Sequence, residues 1–389
     1  MRRVFSSLAL CLLLSISCYP QGKSFYEFLT KLRDTNDSLK KANLISQFIA
    51  TNPEPLTKDS TVHFYYVGAG DTVSVPGEFN NWDPSDGRMK RINGTNFFYR
   101  NEIIPANGRV EYKIWVDSAW TLDPRNPRKS MGGWGENSDV WMPHYKSDDI
   151  TTDANIPHGR IDTLWFDSYS LKVSHPVLVY TPPSITSGET LPSVYVTDGA
   201  DYINIGKMNI ILDKLIAAKK IRPVIGIFVD PRTVLNNPTT NQRMKEYSAN
   251  DDYLDFLEKE VAPMVESKYP VMPRASERLI MGASMGGLIS TYAVLKRGYF
   301  IANCAAQSPS YWEADSAVVK LADTVYQTPV NIYIDTGNIH DTQIEARLVR
   351  NKLIARGFQV NFAEYPEGHN WTNWRARIPV ILQNFFGLR

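Results

Sequence analysis

Hydrophobic positions change their period twice along the chain. From Ser24 to Ala50 they recur three and four residues apart: Phe25, Phe28, Leu29 and Leu32 share one helical face, and Leu44, Ile45, Phe48 and Ile49 share another. Asp34-Thr35-Asn36-Asp37-Ser38 interrupts the pattern and Asn52-Pro53-Glu54-Pro55 ends it, which predicts a helical pair packed on the next segment of the chain. From about Thr57 to Tyr145 the period is two. Val62–Val67, Thr72–Val75, Asn96–Tyr99, Val110–Val116 and Ala119–Leu122 read as short strands divided by Gly, Asn, Asp and Pro clusters, as in a β-sandwich. Beyond the polar stretch Asp148–Pro157, apolar runs alternate with helical patterns. Strands are predicted at Ile161–Phe166, Val177–Tyr180, Ser193–Thr197, Val224–Val229, Arg278–Met281, Ala302–Ala306, Asn331–Ile334 and Val360–Glu364. Helices are predicted at Lys207–Ala218, Asp251–Lys268, Met285–Lys296, Thr342–Arg356 and Thr372–Phe386. Such alternation calls for a mostly parallel sheet with helices on both faces, the α/β class.

The length of 389 residues suits two domains and a leader. The expected division is a leader at 1–21, a helical segment at 22–56, a β-sandwich at 57–147 and an α/β domain at 148–389. Met1-Arg2-Arg3 followed by the apolar run Leu8–Ile16 has the form of a signal peptide, too short to span a bilayer. Cys18 stands where a lipoprotein is acylated, and cleavage near Gln21-Gly22 is the competing reading. Either implies export, with the protein periplasmic, secreted or held at the outer membrane, and no later run is apolar enough for a transmembrane segment. Lys+Arg 42 against Asp+Glu 41 gives no reason to expect nucleic acid as a partner. Cys304 alone of the 3 cysteines lies beyond the leader, as a small buried hydrophobe, so no internal disulfide forms after cleavage. With no HExxH, cysteine cluster or phosphate-cradling loop, neither metal nor cofactor is implied.

Chemistry concentrates at Gly282-Ala283-Ser284-Met285-Gly286, a G-x-S-x-G pattern between a strand and a helix. A serine turned out of so sharp a bend is strained, and the glycines two before and two after it let strand and helix approach. As a nucleophile, Ser284 needs a base and an orienting acid later in the chain. His369, in the loop Tyr365–Trp371, is the histidine placed to reach across the carboxyl edge of the sheet; His340 reads as a solvated loop residue. For the acid, Asp341 is preferred over Asp335, because the orienting carboxylate comes from the loop beyond its strand. An oxyanion needs N–H donors; Met285, directly after the serine, offers one, and Ala200, in the turn Asp198–Asp201, is the choice for the second.

Several segments carry a family resemblance. Gly282–Leu288, Tyr195–Gly199, Glu246-Tyr247 with Tyr269-Pro270, and Glu367-Gly368-His369-Asn370-Trp371 with Trp374-Arg375 together resemble the esterase D-like group of α/β-hydrolases, which includes feruloyl, acetyl-xylan and enterochelin-type esterases. That resemblance implies Ser284, Asp341 and His369 as a triad, with Met285 and Ala200 as oxyanion donors. Glu367 departs from the family, standing where a second glycine is frequent. Gly77–Asp83, Tyr112–Asp117 and Leu122–Pro124 resemble the early-set, immunoglobulin-like β-sandwich of branching enzymes and glycogen-binding modules, implying a carbohydrate-associated module. Of Trp82, Trp115, Trp120, Trp134 and Trp141, most are expected in its core or at an interface, and Trp134, in the loop Met131–Gly135, is expected to be exposed.

The resulting expectation is an exported serine esterase whose substrate is a carbohydrate-linked ester: feruloyl or acetyl groups on plant polysaccharide. A siderophore trilactone esterase is the alternative within the family, and a non-catalytic glycan-binding protein the alternative of another class. Trp371, Arg243 and Trp134 are the candidate substrate contacts, and glycan contact by the sandwich is the other candidate interaction.

Overall fold

The computed structural model describes residues 21–52, 55–148, 150–151, 155–186 and 188–388. The predicted leader, Cys18 included, lies outside the described residues except for Gln21, which opens the first helix. Helices α1 (Gln21–Asp34) and α2 (Ser38–Thr51) form the predicted pair. Asp37 starts the second, its carboxylate accepting the Lys40 N–H at 2.8 Å. The inward faces, Phe25, Leu29 and Leu32 with Ile45 and Phe48, are buried on Tyr65, Phe97 and Tyr99 of the neighbouring strands.

Those strands belong to a set of ten: β1 (Leu56–Lys58), β2 (Thr61–Val67), β3 (Val73–Ser74), β4 (Lys90–Arg91), β5 (Phe97–Ile103), β6 (Arg109–Tyr112), β7 (Ile114–Val116), β8 (Ala119–Thr121), β9 (Lys129–Gly132) and β10 (Gly135–Trp141). They make antiparallel sheets in the orders β1-β2-β5-β4, β6-β10-β9 and β3-β7-β8. Val62, Phe64 and Phe98, Val110, Tyr112 and Val140, and Val73, Val75 and Ile114 meet in one core. The run expected as one strand over 110–116 is divided at Lys113, whose N–H bonds to the Pro76 carbonyl at 2.9 Å, so its halves enter different sheets. The stretch expected as a glycine-rich loop is instead the β9–β10 hairpin, with Gly132 paired to Gly135. Its ladder is made by backbone groups, which a glycine supplies as well as any residue.

The expectation for the tryptophans needs correction. Trp120 and Trp141 are 50% and 39% exposed, Trp134 is 100% exposed, and Trp82 and Trp115 are half-buried. Smaller rings, Phe64, Phe79, Phe98 and Tyr112, fill the interior and leave the indoles at the surface.

The second half is built on an eight-stranded sheet of β11 (Arg160–Asp167), β12 (Ser174–Thr181), β13 (Ser193–Val196), β14 (Ile225–Val229), β15 (Arg278–Ala283), β16 (Asn303–Gln307), β17 (Asn331–Gly337) and β18 (Gln359–Tyr365). Its order is β11-β12-β14-β13-β15-β16-β17-β18, antiparallel at β11–β12 and β12–β14 and parallel from there on. Every predicted strand is present. The helices are α3 (Gly199–Asn204), α4 (Met208–Ala217), α5 (Arg243–Glu246), α6 (Asp251–Asp255), α7 (Ala262–Lys268), α8 (Met285–Arg297), α9 (Glu313–Thr324), α10 (Gln343–Ala355) and α11 (Trp371–Phe386). Of these α3, α5 and α9 were not expected. The helix expected over Asp251–Lys268 is continuous but widens into a π-turn at Phe256–Val261, just ahead of Pro263, which has no N–H to offer an i−4 carbonyl. Alternation along the strands feeds two cores: Ile280 of β15 belongs to one, Leu279 and Met281 to the other, and the helices cover both faces. Among the described residues no helix is long and apolar enough to cross a membrane.

Candidate active site

The carboxyl ends of four adjacent strands, β15 to β18, supply the site in chain order. After β15 comes Ser284, with φ 59° and ψ −120°. Such backbone is unfavourable for a residue with a Cβ, at about 1–3 kcal/mol, and persists where neighbours over-determine it. Here the Ser284 N–H bonds to the Gln307 carbonyl at 2.9 Å, and its carbonyl accepts the N–H groups of Leu288 and Ser310. Close packing makes the bend possible: a Cβ on Gly282 would lie 1.9 Å from Thr197 Oγ1 and 2.7 Å from the Gly286 carbonyl carbon.

Asp341 follows β17 and His369 follows β18. His369 Nδ1 lies 2.7 Å from Asp341 Oδ1, with 35% of the imidazole side chain exposed and the carboxylate fully covered. The other carboxylate oxygen accepts Ser308 Oγ–H and the Gly337 N–H, each at 2.6 Å. Burial pushes the Asp341 carboxyl up, but the hydrogen bond and charge of His369, with Ser308 and Gly337, outweigh it and hold the group below its ordinary value. Trp374 supports both sides of the pair: its Nε1–H donates to Ser308 Oγ at 3.0 Å, and its ring meets His369 edge-on at 4.9 Å. Asp335, the other candidate acid, ends up in the interior of β17, where burial raises its carboxyl to about 7.

The loop after β16 joins nucleophile to acid. Ser310 Oγ is 3.0 Å from Ser284 Oγ, while Ser308 holds Asp341. Neither serine stood out in the sequence. Polar residues directly after an apolar run at the carboxyl end of a parallel strand, as in Ser308-Pro309-Ser310, were the available signal.

Three expected contacts are placed differently. The Ala200 N–H donates to Asp230 Oδ2 at 2.8 Å and is therefore already engaged, because Asp230, at the end of β14, caps the start of α3. The N–H of Met285, first residue of α8, has no intrahelical acceptor. Arg243 grips Asp198 through Nε and Nη2 at 2.8 and 3.0 Å and donates from Nη2 to the Ala283 carbonyl at 3.1 Å. It ties two strand ends together beside the nucleophile instead of standing open to a ligand, and Arg232 is bound in the same manner to Asp230 and Asp201. Trp371 is buried edge-on against Tyr202 and Trp374, 5.1 and 5.2 Å between ring centroids, so it is an internal support of the histidine loop. Trp134 is exposed as expected, and its hairpin lies over α11: a Cβ on Gly133 would stand 3.5 Å from Trp371 Nε1. Trp312, two residues beyond Ser310, is 47% exposed.

Residues 168–385 match the family described as "Putative esterase". The iron(III) enterobactin esterase of Escherichia coli O6:H1 is 26% identical over 249 residues, which span 58% of this chain and 60% of that protein. Among solved structures, the ferric enterobactin esterase of Salmonella typhimurium has a TM-score of 0.72 at 18% identity, covering 87% of this chain and 98% of its own. A ferulic acid esterase of Anaeromyces mucronatus has a TM-score of 0.52 at 17% identity, covering 62% and 96%. With the sheet order, these likenesses show an esterase-type α/β-hydrolase fold.

Proposed function

The chain belongs to the Esterase family and is thereby a carboxylic ester hydrolase; from that premise we propose that it acts through Ser284, His369 and Asp341 and an acyl-enzyme. The observation that carries this reading is the strained serine at a strand–helix bend, on the same sheet edge as the 2.7 Å His369–Asp341 pair. Ser284 Oγ attacks the ester carbonyl carbon as His369 Nε2 removes its proton. The tetrahedral oxyanion faces the Met285 N–H at the positive end of α8. His369 returns the proton to the leaving alcohol as the C–O bond breaks, and water, deprotonated by the same imidazole, then releases the acid and restores Ser284. Asp341 fixes the Nδ1–H tautomer and stabilises the imidazolium. Before attack the Ser284 hydroxyl turns from Ser310 toward the imidazole, a tightening common when substrate binds. Ser284→Ala should leave no more than a trace of hydrolysis of p-nitrophenyl acetate; substantial residual turnover overturns the mechanism.

For the substrate, the reading supported best is a neutral aromatic or acetyl ester carried on carbohydrate. Arg243, beside the nucleophile, and Arg232 are each paired with carboxylates, whereas exposed indoles stand at Trp134, on the hairpin over α11, and at Trp312, two residues past Ser310. A siderophore trilactone is the second reading, favoured by the 87% coverage with an enterobactin esterase, which extends past residues 168–385 into the N-terminal β region. Hydrolysis of methyl ferulate, acetylated xylan and a catecholate trilactone, compared side by side, separates them. On either reading the leader supports export, with Cys18 lipidated or removed by cleavage near Gln21; incorporation of labelled palmitate, lost in Cys18→Ala, identifies the lipoprotein. The immunoglobulin-like nature of the β region and its contact with glycan belong to the same proposal, tested by binding of the Ser284→Ala protein to insoluble xylan.

A further inference from the structure

His369 is a third exposed, and among the described residues its ring is held by Asp341 and an edge-on contact with Trp374. A catalytic imidazole must nevertheless be fixed within a fraction of an ångström. The backbone on both sides of it is gripped by a buried ionic cluster supplied largely by the N-terminal β region. Arg109 of β6, with no exposed surface, donates from Nη1 to Asn370 Oδ1 at 3.0 Å, from Nη2 to Glu111 at 3.0 Å and from Nε to Asp139 at 3.1 Å. The same Nη1 stands 3.6 Å from Glu367, and the Arg109 N–H bonds to the Pro366 carbonyl at 3.0 Å. Glu78, also buried, accepts Asn370 Nδ2–H at 2.8 Å and packs its carboxyl on Gly368, where an added Cβ would lie 2.4 Å from Glu78 Cδ. From the hydrolase side, Arg377 donates to Glu367 at 2.8 Å, and Asn373 Nδ2–H to the Gly368 carbonyl at 3.0 Å. Asn370 Oδ1 also caps α11 by accepting the Asn373 N–H at 2.8 Å.

Residues 366, 367, 368 and 370 are thus each anchored, and 369 is the one left to face the site. Stability alone does not call for this arrangement, since a buried ion cluster stabilises no better than a well-packed apolar one. What it provides is direction: the hydrogen bonds converge on one loop from residues 261 and 292 positions away.

We propose that the N-terminal β region is a holder for the catalytic histidine, with Arg109 and Glu78 as positioning residues that act on His369 through Asn370 and Glu367. The inference rests on His369 being the base. It gives Glu367, the residue that departs from the family pattern, a purpose, and it assigns the β region a part in turnover that needs no glycan.

The test uses the full chain carrying Asn370→Asp or Glu78→Gln. Asn370→Asp keeps the cap and the Arg109 contact but replaces the Nδ2–H donor to Glu78 with an oxygen; Glu78→Gln keeps shape but turns one of the two oxygens that accept from Asn370 and the Glu111 N–H into a donor. With p-nitrophenyl acetate, kcat should fall about 10- to 100-fold in each variant while KM stays within about twofold. The midpoint of the acid limb of kcat/KM should also move, as it would not if the variants merely lost folded protein. Wild-type kcat per folded molecule with an unmoved midpoint overturns the proposal. If Asn370→Asp fails to fold, Glu78→Gln alone decides it. Ser284→Ala, measured alongside, reports separately on the mechanism: turnover there sinks the triad whatever the clamp variants do.

Discussion

The carboxyl groups of Asp341 and Asp335, which interact with each other, are driven in opposite directions by their surroundings. Asp341 accepts hydrogen bonds from His369, Ser308 and Gly337, so it remains a carboxylate in spite of burial. Asp335 is raised to about 7 by burial, which Arg377 and the hydrogen bonds of Tyr333 and Gln307 oppose without overcoming and to which Asp341 adds. Replacing Asp341 by Asn should lower kcat by about 10³- to 10⁴-fold by favouring the wrong tautomer, readable in steady-state hydrolysis with unchanged circular dichroism. The stability signs come from linkage. Because the folded Asp341 carboxyl sits below its unfolded value, its contribution is full above about 4 and is lost as pH falls through the lower folded value. For Asp335 the folded value is higher than the unfolded one, so stability declines as pH rises from about 4 to 7. Asp335→Asn should remove that decline and unfold at a higher temperature than wild type at pH 8, with little difference at pH 4; equal melting temperatures at pH 8 would count against the assignment.

At the scale of elements, the bend between β15 and α8 depends on the absence of side chains at two points. Gly282 and Gly286 each face Thr197 Oγ1 at a distance, 1.9 and 2.2 Å from an added Cβ, that no small adjustment relieves. Gly282→Ala should therefore destabilise the protein by about 1–3 kcal/mol and push Ser284 out of register, seen as a lower urea midpoint with an unchanged m-value and loss of turnover. This element was legible in the sequence because the bend, its glycines and the apolar strand before it are contiguous. The β9–β10 hairpin was not: polar and glycine residues there conceal a ladder made by the backbone. The division of 110–116 escaped notice for a related reason, since alternation continues through Lys113 while the sheet partner changes from β10 to β3 and β8.

Over the whole molecule, the N-terminal β region packs on the loop that carries His369. The hairpin carrying Trp134 packs on α11 at Trp371, two residues past His369, and its indole has 100% of its surface exposed. Trp134→Ala should raise KM for an aromatic ester about 2- to 10-fold, the worth of one aromatic contact, with kcat and melting temperature unchanged. A KM equal to wild type on both methyl ferulate and acetylated xylan would remove Trp134 from the substrate path. The sequence by itself determined the strand–helix alternation, the bend at Ser284 and the order of serine, acid and histidine, because periodicity and turn chemistry act over a few adjacent residues. The tertiary structure alone decided which groups are available. Asp230 engages the Ala200 N–H, Asp198 engages Arg243, Phe and Tyr displace the tryptophans outward, and Arg109 reaches Asn370 across 261 positions. Whether a buried polar group is free depends on a partner that the fold brings to it, and no local pattern encodes that partner.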